Sequence, residues 1–278
     1  MNTILVPTDY SDTSKNAARY AIGLSRQLSA TNLILYNAYQ QPITTDPAMN
    51  AVEFYNIEDF RKISEEGMKN FAADLHLENE NGIAFQTITE FNVLSNGIEE
   101  LCRNNPSIEL IIMGITGGGK LEEVLIGSNT IHVAKHTKVP LIIVPADAVY
   151  KPVKQIVLAT DFKHVVESTP VEPIKQILDA TQAKLHVLHI DHNKKEYTEN
   201  TPFESLMLDT LLEGYNPEYH FIDNADFTEG MNEFVQQKDI DLIVTIPKKH
   251  GLFEGLFKRS HTKMLAYHTH VPLMVIHE

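Results

Sequence analysis

The sequence predicts an α/β protein made of two tandem doubly wound units, each a parallel sheet flanked by helices. Two observations predict it: the chain repeats itself at a fixed displacement, and each repeat alternates short apolar runs with amphipathic stretches. Ile4-Leu5-Val6-Pro7-Thr8-Asp9-Tyr10 returns 152 positions later as Ile156-Val157-Leu158-Ala159-Thr160-Asp161-Phe162. Leu33-Ile34-Leu35-Tyr36 keeps that displacement against Leu185-His186-Val187-Leu188. Further on the displacement falls to 132, where Glu109-Leu110-Ile111-Ile112 matches Asp241-Leu242-Ile243-Val244 and His136–Leu141 matches His268–Leu273. Two constant displacements in the same order describe one domain written twice, the second copy 20 residues shorter in its middle. The domains are expected at 1–147 and 152–278, with the joint near Ala146–Pro152. A chain of 278 residues has the length for two cores at roughly 150 residues each.

In the first copy the pattern predicts strands near 3–7, 32–38, 84–89, 110–114 and 141–145. Helices fall between them, near 13–29, 53–77, 93–104 and 127–137. The chain enters its first strand at once. Asp9 and Ser11 then precede the first helix as capping residues. Residues 40–58, with Pro42, Pro47 and few periodic apolar positions, read as a long loop into the second helix. The runs Leu110–Gly114 and Leu141–Pro145 are continuously apolar and rich in Ile, as strands buried on both faces require. Strand–helix alternation implies a parallel sheet with right-handed crossovers. The segments Val139–Pro145 and Val271–His277 are the last strands of their copies and therefore expected sheet edges, which invite pairing.

Composition narrows the function. With 23 Lys+Arg against 37 Asp+Glu the net charge is −14, which argues against nucleic acid as a partner, because phosphate neutralisation needs a basic face. Apolar residues at 43% and charged residues at 22% are globular values, and no run of about 18 apolar residues is present to span a membrane. The opening residues lack the basic region of a signal peptide. One cysteine, Cys102, excludes a disulfide framework and a multi-cysteine zinc site. A cytoplasmic location is the expectation. Cys102 has no paired His nearby in its helix, which speaks against a catalytic thiol.

Ligands of such sheets sit beyond the carboxyl ends of the strands, where strand order switches, so the places to look are after Val6, Tyr36 and Met113. After the fourth strand the chain reads Met113-Gly114-Ile115-Thr116-Gly117-Gly118-Gly119-Lys120, and Gly127-Ser128-Asn129-Thr130 then opens an amphipathic helix. Glycine permits close backbone approach, and a helix start leaves amides unpaired with partial positive charge. Amides of 114–118 and of 127–130 can therefore cradle a phosphate, with the Ser128 and Thr130 hydroxyls adding bonds. At about 1.5–3 kcal/mol per charge-assisted bond, a few such bonds supply the ~8 kcal/mol of micromolar affinity. The competing reading makes the glycines a turn and Ser-Asn-Thr a helix cap. Gly114–Lys120 also satisfies G-x-x-x-x-G-K, but Leu121 stands where a P-loop needs Ser or Thr for magnesium. Asp9 suits ribose hydroxyls or a bound Mg²⁺, or it caps the turn before the helix.

The Gly-x2-Gly-x9-Gly-Ser pattern, with the opening Ile-Leu-Val-Pro-Thr-Asp and the closing Val-Pro-Leu-Ile-Ile-Val-Pro, resembles the ATP-binding branch of the universal stress protein family over nearly the whole chain. The resemblance implies tandem Rossmann-like, adenine nucleotide alpha hydrolase-like domains, each a five-stranded parallel sheet. It implies ATP or AMP as ligand, with Mg²⁺ possible through Asp9. Pro7, Thr8 and Asp9 would line the site, and Ala38 would set its backbone against adenine. Met113, Gly114, Gly117, Gly127, Ser128 and Asn129 would hold ribose and phosphates. Asn129 departs from the apolar residue usual in the family. In that family the last strands pair domain with domain, which implies an intramolecular pseudo-dimer, with homodimerisation left open.

In the second copy Ile246, Lys249 and Arg259 replace Gly114, Gly117 and Gly127, and Ala159 replaces Pro7, although Thr160, Asp161 and Ser260 remain. That copy is expected not to bind ATP in the family's manner. Residues 248–263 instead gather Lys248, Lys249, Lys258, Arg259 and Lys263 with His250 and His261, either a solvated loop or an anion site. His189, Asp191 and His192 read as strand-end residues of the second cleft rather than a metal site. The expected function is a nucleotide-dependent stress or signalling module read by a protein partner. A slow Mg-dependent ATPase and a scaffold without nucleotide are the alternatives.

Overall fold

The computed structural model describes residues 1–40, 57–79, 82–115, 128–193, 199–246 and 271–277. The first copy runs β1 (Thr3–Pro7), α1 (Asp12–Gln27), β2 (Asn32–Tyr39), α2 (Ile57–Glu78), β3 (Ala84–Phe91), α3 (Leu94–Asn104), β4 (Ile108–Gly114), α4 (Ser128–His136) and β5 (Leu141–Val144). The second runs β6 (Gln155–Ala159), α5 (Val165–Ser168), α6 (Val171–Thr181), β7 (Lys184–Asp191), α7 (Thr201–Leu211), β8 (Glu218–Asp223), α8 (Phe227–Gln237), β9 (Leu242–Thr245) and β10 (Leu273–Val275). The predicted elements of the first copy are all present. The loop expected at 40–58 lies mostly outside the described residues.

The strands form one sheet in the order β3-β2-β1-β4-β5-β10-β9-β6-β7-β8. Within each copy every pairing is parallel; the join, β5 with β10, is antiparallel, with Ile142 opposite Met274. The two expected edges thus cover each other. Alternate residues of each strand feed opposite faces: Ile4, Val6, Leu110, Ile112, Ile156 and Leu158 join one core, and Leu5, Ile111, Met113, Val157 and Ile243 the other. Each core therefore runs through both copies, which makes the join a continuation of the interior.

An acidic residue repeats one device in both copies. The Glu109 carboxylate, beside the start of β4, accepts from the Asn2 amide ahead of β1. At the matching place Asp241 Oδ2 accepts from the amides of Lys154 and Gln155 at 2.8 and 2.9 Å, while its Oδ1 pairs with Lys151 at 2.8 Å. The strand that starts each copy is thereby tied to the strand beside it through amides that lack a ladder partner.

The joint is strapped to α1. Asn16 Nδ2 donates to the carbonyls of Pro145 and Ala148, both at 3.0 Å. One turn from its end, Gly23 leaves room for the Tyr150 ring, which a Cβ there would strike, and Tyr150 meets Tyr20 edge-on at 5.6 Å. Gln27 closes the strap: its Nε2 donates to Val153 O at 2.8 Å and its Oε1 accepts from Val153 N at 2.9 Å.

The copies differ where α1 begins. In the first copy α1 is continuous, capped by Ser11, whose side chain accepts from the Ser14 amide. A Cβ on Gly114 would collide with the Thr13 carbonyl, so the missing side chain is what lets this helix end sit on β4. In the second copy Ile246 stands at the matching position, buried in the same core as Phe162 and Val165, and the helix is broken into α5 and α6 with Pro170 between them. The Val165 amide, at the start of α5, donates to Glu204 of α7 at 2.8 Å.

Candidate functional site

Strand β1 bonds β2 on one side and β4 on the other, so the chain's winding reverses between β1 and β4. A cleft of about 130 Å³ opens at that point. Its walls are the strand ends Pro7–Asp9, Asn37–Ala38 and Met113–Gly114, the first turn of α1, Leu94 of α3, and Asn129 and Thr130 at the start of α4. The volume is below the roughly 300 Å³ at which ligand pockets begin. The predicted phosphate-side residues 116–127, including Gly117 and Gly127, lie outside the described residues. Of the sequence-predicted set, the structure brings together Pro7, Thr8, Asp9, Ala38, Met113, Gly114 and Asn129. Ser128 opens α4 beside them.

Main-chain direction at Ala38 follows from the ladder. A residue's N–H and C=O project to one side of a strand, and the side alternates along it. The Tyr36 carbonyl accepts from Thr8 N at 2.8 Å, on the β1 side, whereas the Tyr39 carbonyl accepts from Asn92 N at 3.2 Å, on the β3 side. Ala38 therefore faces the β1 side, one step past Pro7↔Tyr36, the last register pair of that ladder. Its amide and carbonyl point into the gap above the end of β1. The opening turn of α4 stands across that gap, with Thr130 2% exposed and Asn129 exposed.

The floor is held by a buried polar network. The Thr8 hydroxyl bonds Ser14 Oγ at 2.9 Å and accepts from the Tyr10 amide at 2.9 Å. Asn37 Nδ2 donates to Thr8 O at 2.7 Å, and Asn37 Oδ1 accepts from Ser64 Oγ at 2.6 Å. Tyr10 donates from its hydroxyl to Ser64 O at 2.7 Å, tying α2 to the same point. Asn37, Ser14 and Ser64 escaped the sequence reading. A polar residue within the apolar run of β2 was the available signal, since a buried amide needs partners.

Asp9 is exposed and caps the turn before α1: its Oδ1 accepts from the Ser11 amide at 3.1 Å and from the Ser11 hydroxyl at 2.5 Å. Partial burial pushes the carboxyl up, but the hydrogen bonds from Ser11 and Ser14 together outweigh it and hold Asp9 below its ordinary value. The capping role is thus present in the structure, and an ionised carboxylate stands at the cleft mouth.

In the second copy His189 takes the place of Asn37, and its Nδ1 donates to Thr160 O at 2.9 Å, the same tie to the first strand's end. Phe162, 2% exposed, stacks on Phe221 at 5.6 Å and leans on His189 at 5.4 Å; it matches Tyr10 of the first copy, while Ile246 matches Gly114 of the cleft wall. His189, Asp191 and His192 are not gathered about one point: His192 turns instead to Asp223 at 3.1 Å. The basic segment 248–263 lies outside the described residues. Burial pushes the Cys102 thiol up to about 11, which removes the thiolate a nucleophile needs. Among the described residues no helix is long and apolar enough to cross a membrane.

Comparison with known proteins gives a consistent result. The sequence profile of the Universal stress protein family matches residues 1–145 and again 152–277. A universal stress protein of Methanocaldococcus jannaschii is 30% identical over 141 residues, covering 51% of this chain and 80% of its own. A universal stress protein structure from Archaeoglobus fulgidus superposes with a TM-score of 0.72 at 17% identity, over 99% of this chain and 98% of that one. A functionally unknown protein of Pseudomonas aeruginosa does so with a TM-score of 0.60 at 13% identity, over 100% and 92% of the two chains.

Proposed function

We propose a function for a chain that belongs to the universal stress protein family as a tandem two-domain member: its first copy binds an adenine nucleotide, ATP or AMP, and the bound nucleotide alters a surface that a protein partner reads. The observation that carries this reading is the pairing, across one gap, of an Ala38 peptide unit directed past the end of β1 with the opening turn of α4. A peptide N–H and C=O side by side match the donor and acceptor on an adenine edge, and the first turn of a helix favours phosphate. Pro7 and Thr8 form the floor. Met113, Gly114 and Asn129, with Gly117, Gly127 and Ser128, take ribose and phosphates. Asp9, ionised at the mouth, takes ribose hydroxyls or holds the nucleotide through Mg²⁺.

The second copy is read as degenerate, because Ile246, Lys249 and Arg259 stand where the first copy has its three site glycines. On this reading the working units are 1–147 and 152–278. The first copy is a binding module: phosphoryl transfer calls for a metal, a cationic clamp and a positioned nucleophile, and the named residues supply one carboxylate.

Equilibrium dialysis of the full chain with labelled ATP and AMP, alongside mass analysis of any ligand released on denaturation, tests the proposal. One nucleotide per chain, abolished by Gly127→Arg with the thermal midpoint retained, is the expected result. No uptake by the parent chain, or uptake untouched by Gly127→Arg, refutes it. Turnover lost in Asp9→Asn while affinity persists would instead make the protein a slow ATPase.

A further inference from the structure

At the opposite end of the second copy's strands from its cleft, two histidines and a glutamate share one face of β7 and β8. His186 lies directly across from Glu218, and His220 follows two residues along β8, opposite Leu188. His186 Nδ1 is 3.0 Å from His220 Nε2, Glu218 Oε2 is 3.5 Å from His186 Nδ1, and it is 3.9 Å from His220 Nε2. Two ligand atoms bound about 2.0–2.1 Å from a tetrahedral metal stand about 3.3 Å apart, which falls within this triangle. We propose that His186, His220 and Glu218 form a binding site for a divalent transition metal, zinc being the best match, with the fourth position open on the Glu218 side.

The surroundings orient each ligand. His186 Nε2 lies 2.9 Å from Gln155 Oε1, so Nε2 carries the proton and the Nδ1 lone pair is turned toward the cluster. Lys184 holds the other oxygen of Glu218 at 2.6 Å and leaves Oε2 facing the imidazoles. Phe234 of α8 covers both rings, with centroids 5.9 and 4.8 Å away, and supplies the dry wall of the pocket. Burial, then the neighbouring His220, push His186 down to about 4, and burial lowers His220 as well. In the metal-free protein His220 Nε2 donates to His186 Nδ1 at 3.0 Å, and a bound cation takes the place of that hydrogen bond, with the His220 proton moving to Nδ1.

The fold does not require this set. The matching positions of the first copy, aligned through the parallel registers of β2 with β3 and β7 with β8, are Thr3, Ile34, Gln86 and Ile88. Isoleucine serves there as a sheet-face residue under a helix. Two imidazoles, one of them 2% exposed, have been substituted for that apolar pair in the second copy only. Both nitrogens of His186 have hydrogen-bond partners in the metal-free protein, His220 and Gln155, and a bound cation would exchange the imidazole–imidazole bond for contacts that engage all three groups.

The test uses tag-free, metal-free full chain titrated with Co²⁺, followed by its ligand-field absorption, and then with Zn²⁺ in competition. One equivalent with a tetrahedral cobalt spectrum, displaced by zinc, is expected. His186→Ile with His220→Ile restores the first copy's residues and should remove that equivalent while the metal-free thermal midpoint holds or rises. Gln155→Leu should weaken it by about 10- to 100-fold. Glu218→Gln, at a side chain 45% exposed, should weaken it at least tenfold by the same token, and it keeps the test decisive if the histidine variants misfold. No uptake by the parent chain, or the same equivalent in Glu218→Gln or in a folded double-isoleucine variant, overturns the assignment. None of these readouts depends on nucleotide.

Discussion

Replacing Gln27 with Ala sets two opposed effects against each other. Gln27 is the last residue of α1, where Ala is the better helix former by a few tenths of a kcal/mol. Against that gain stands the Val153 peptide, 1% exposed, whose N–H and C=O are both satisfied by the Gln27 amide at 2.9 and 2.8 Å. The same amide takes longer bonds to Thr181 O and from the Tyr150 hydroxyl, each 3.3 Å. Two buried main-chain groups left without partners cost about 1–3 kcal/mol apiece, so Gln27→Ala should lose about 2–6 kcal/mol, the propensity gain offsetting only a few tenths of it. For a chain of this size that is a fall of roughly 4–24 °C in thermal midpoint. Guanidinium unfolding followed by circular dichroism gives the number directly. Tyr150→Phe, which removes only the longer bond from the joint side, should cost less than about 1 kcal/mol. A Gln27→Ala midpoint equal to or above that of the parent would refute the idea that one side-chain amide secures the joint between the copies.

Gly114→Ala should destabilise by about 1–3 kcal/mol, because the new methyl meets the Thr13 backbone rather than a movable side chain; a thermal midpoint unchanged from the parent would contradict this. Asp241→Ala strips two amides of their acceptor and should lose about 2–4 kcal/mol in urea unfolding, while Glu109→Ala, with one bond at an exposed amide, should lose under about 1 kcal/mol. Equal losses for the two acids would oppose the bond count. The pH response follows from His186, held near 4 in the folded protein against 6.5 when exposed. The unfolded chain binds the proton first, so this contribution is complete above pH 6.5 and is lost as pH falls from there toward 4. Metal-free parent protein should therefore lose more thermal stability between pH 7 and pH 5 than His186→Ile with His220→Ile, and equal pH slopes would count against the folded-state shift.

The repeat made the order and type of the elements legible, because a strand buried on both faces is an unbroken Ile-rich run and a helix start is a capped one. The cleft was legible too: Pro7–Asp9, Ala38 and Met113–Gly114 each end a strand, and the topology alone brings strand ends together. Less legible were the contacts that register decides. Nothing local in β7 or β8 states that His186 faces Glu218, since parallel strands are aligned by packing across a long crossover and not by a turn. Gln27 and Val153 are 126 positions apart, and an exposed-looking Gln at a helix end carries no sign of its partner. The break between α5 and α6 falls at Pro170, a residue that ends helices because it lacks an amide hydrogen and its ring crowds the preceding turn, and that proline is plain in the sequence. Gly114 also carried a meaning other than ligand approach alone, since its bare α-carbon is explained by the packing of α1.

The antiparallel meeting of β5 and β10 turns the two halves end for end, so their strand tips open toward opposite rims of the sheet. A symmetric pair of separate subunits would have to carry every amino-acid change at both rims at once, because one gene would encode both. Fusing the halves into a single polypeptide lifts that constraint. One rim can keep glycines where the other carries isoleucine, lysine and arginine, and the continuous interior between them ensures that neither half has to stand alone.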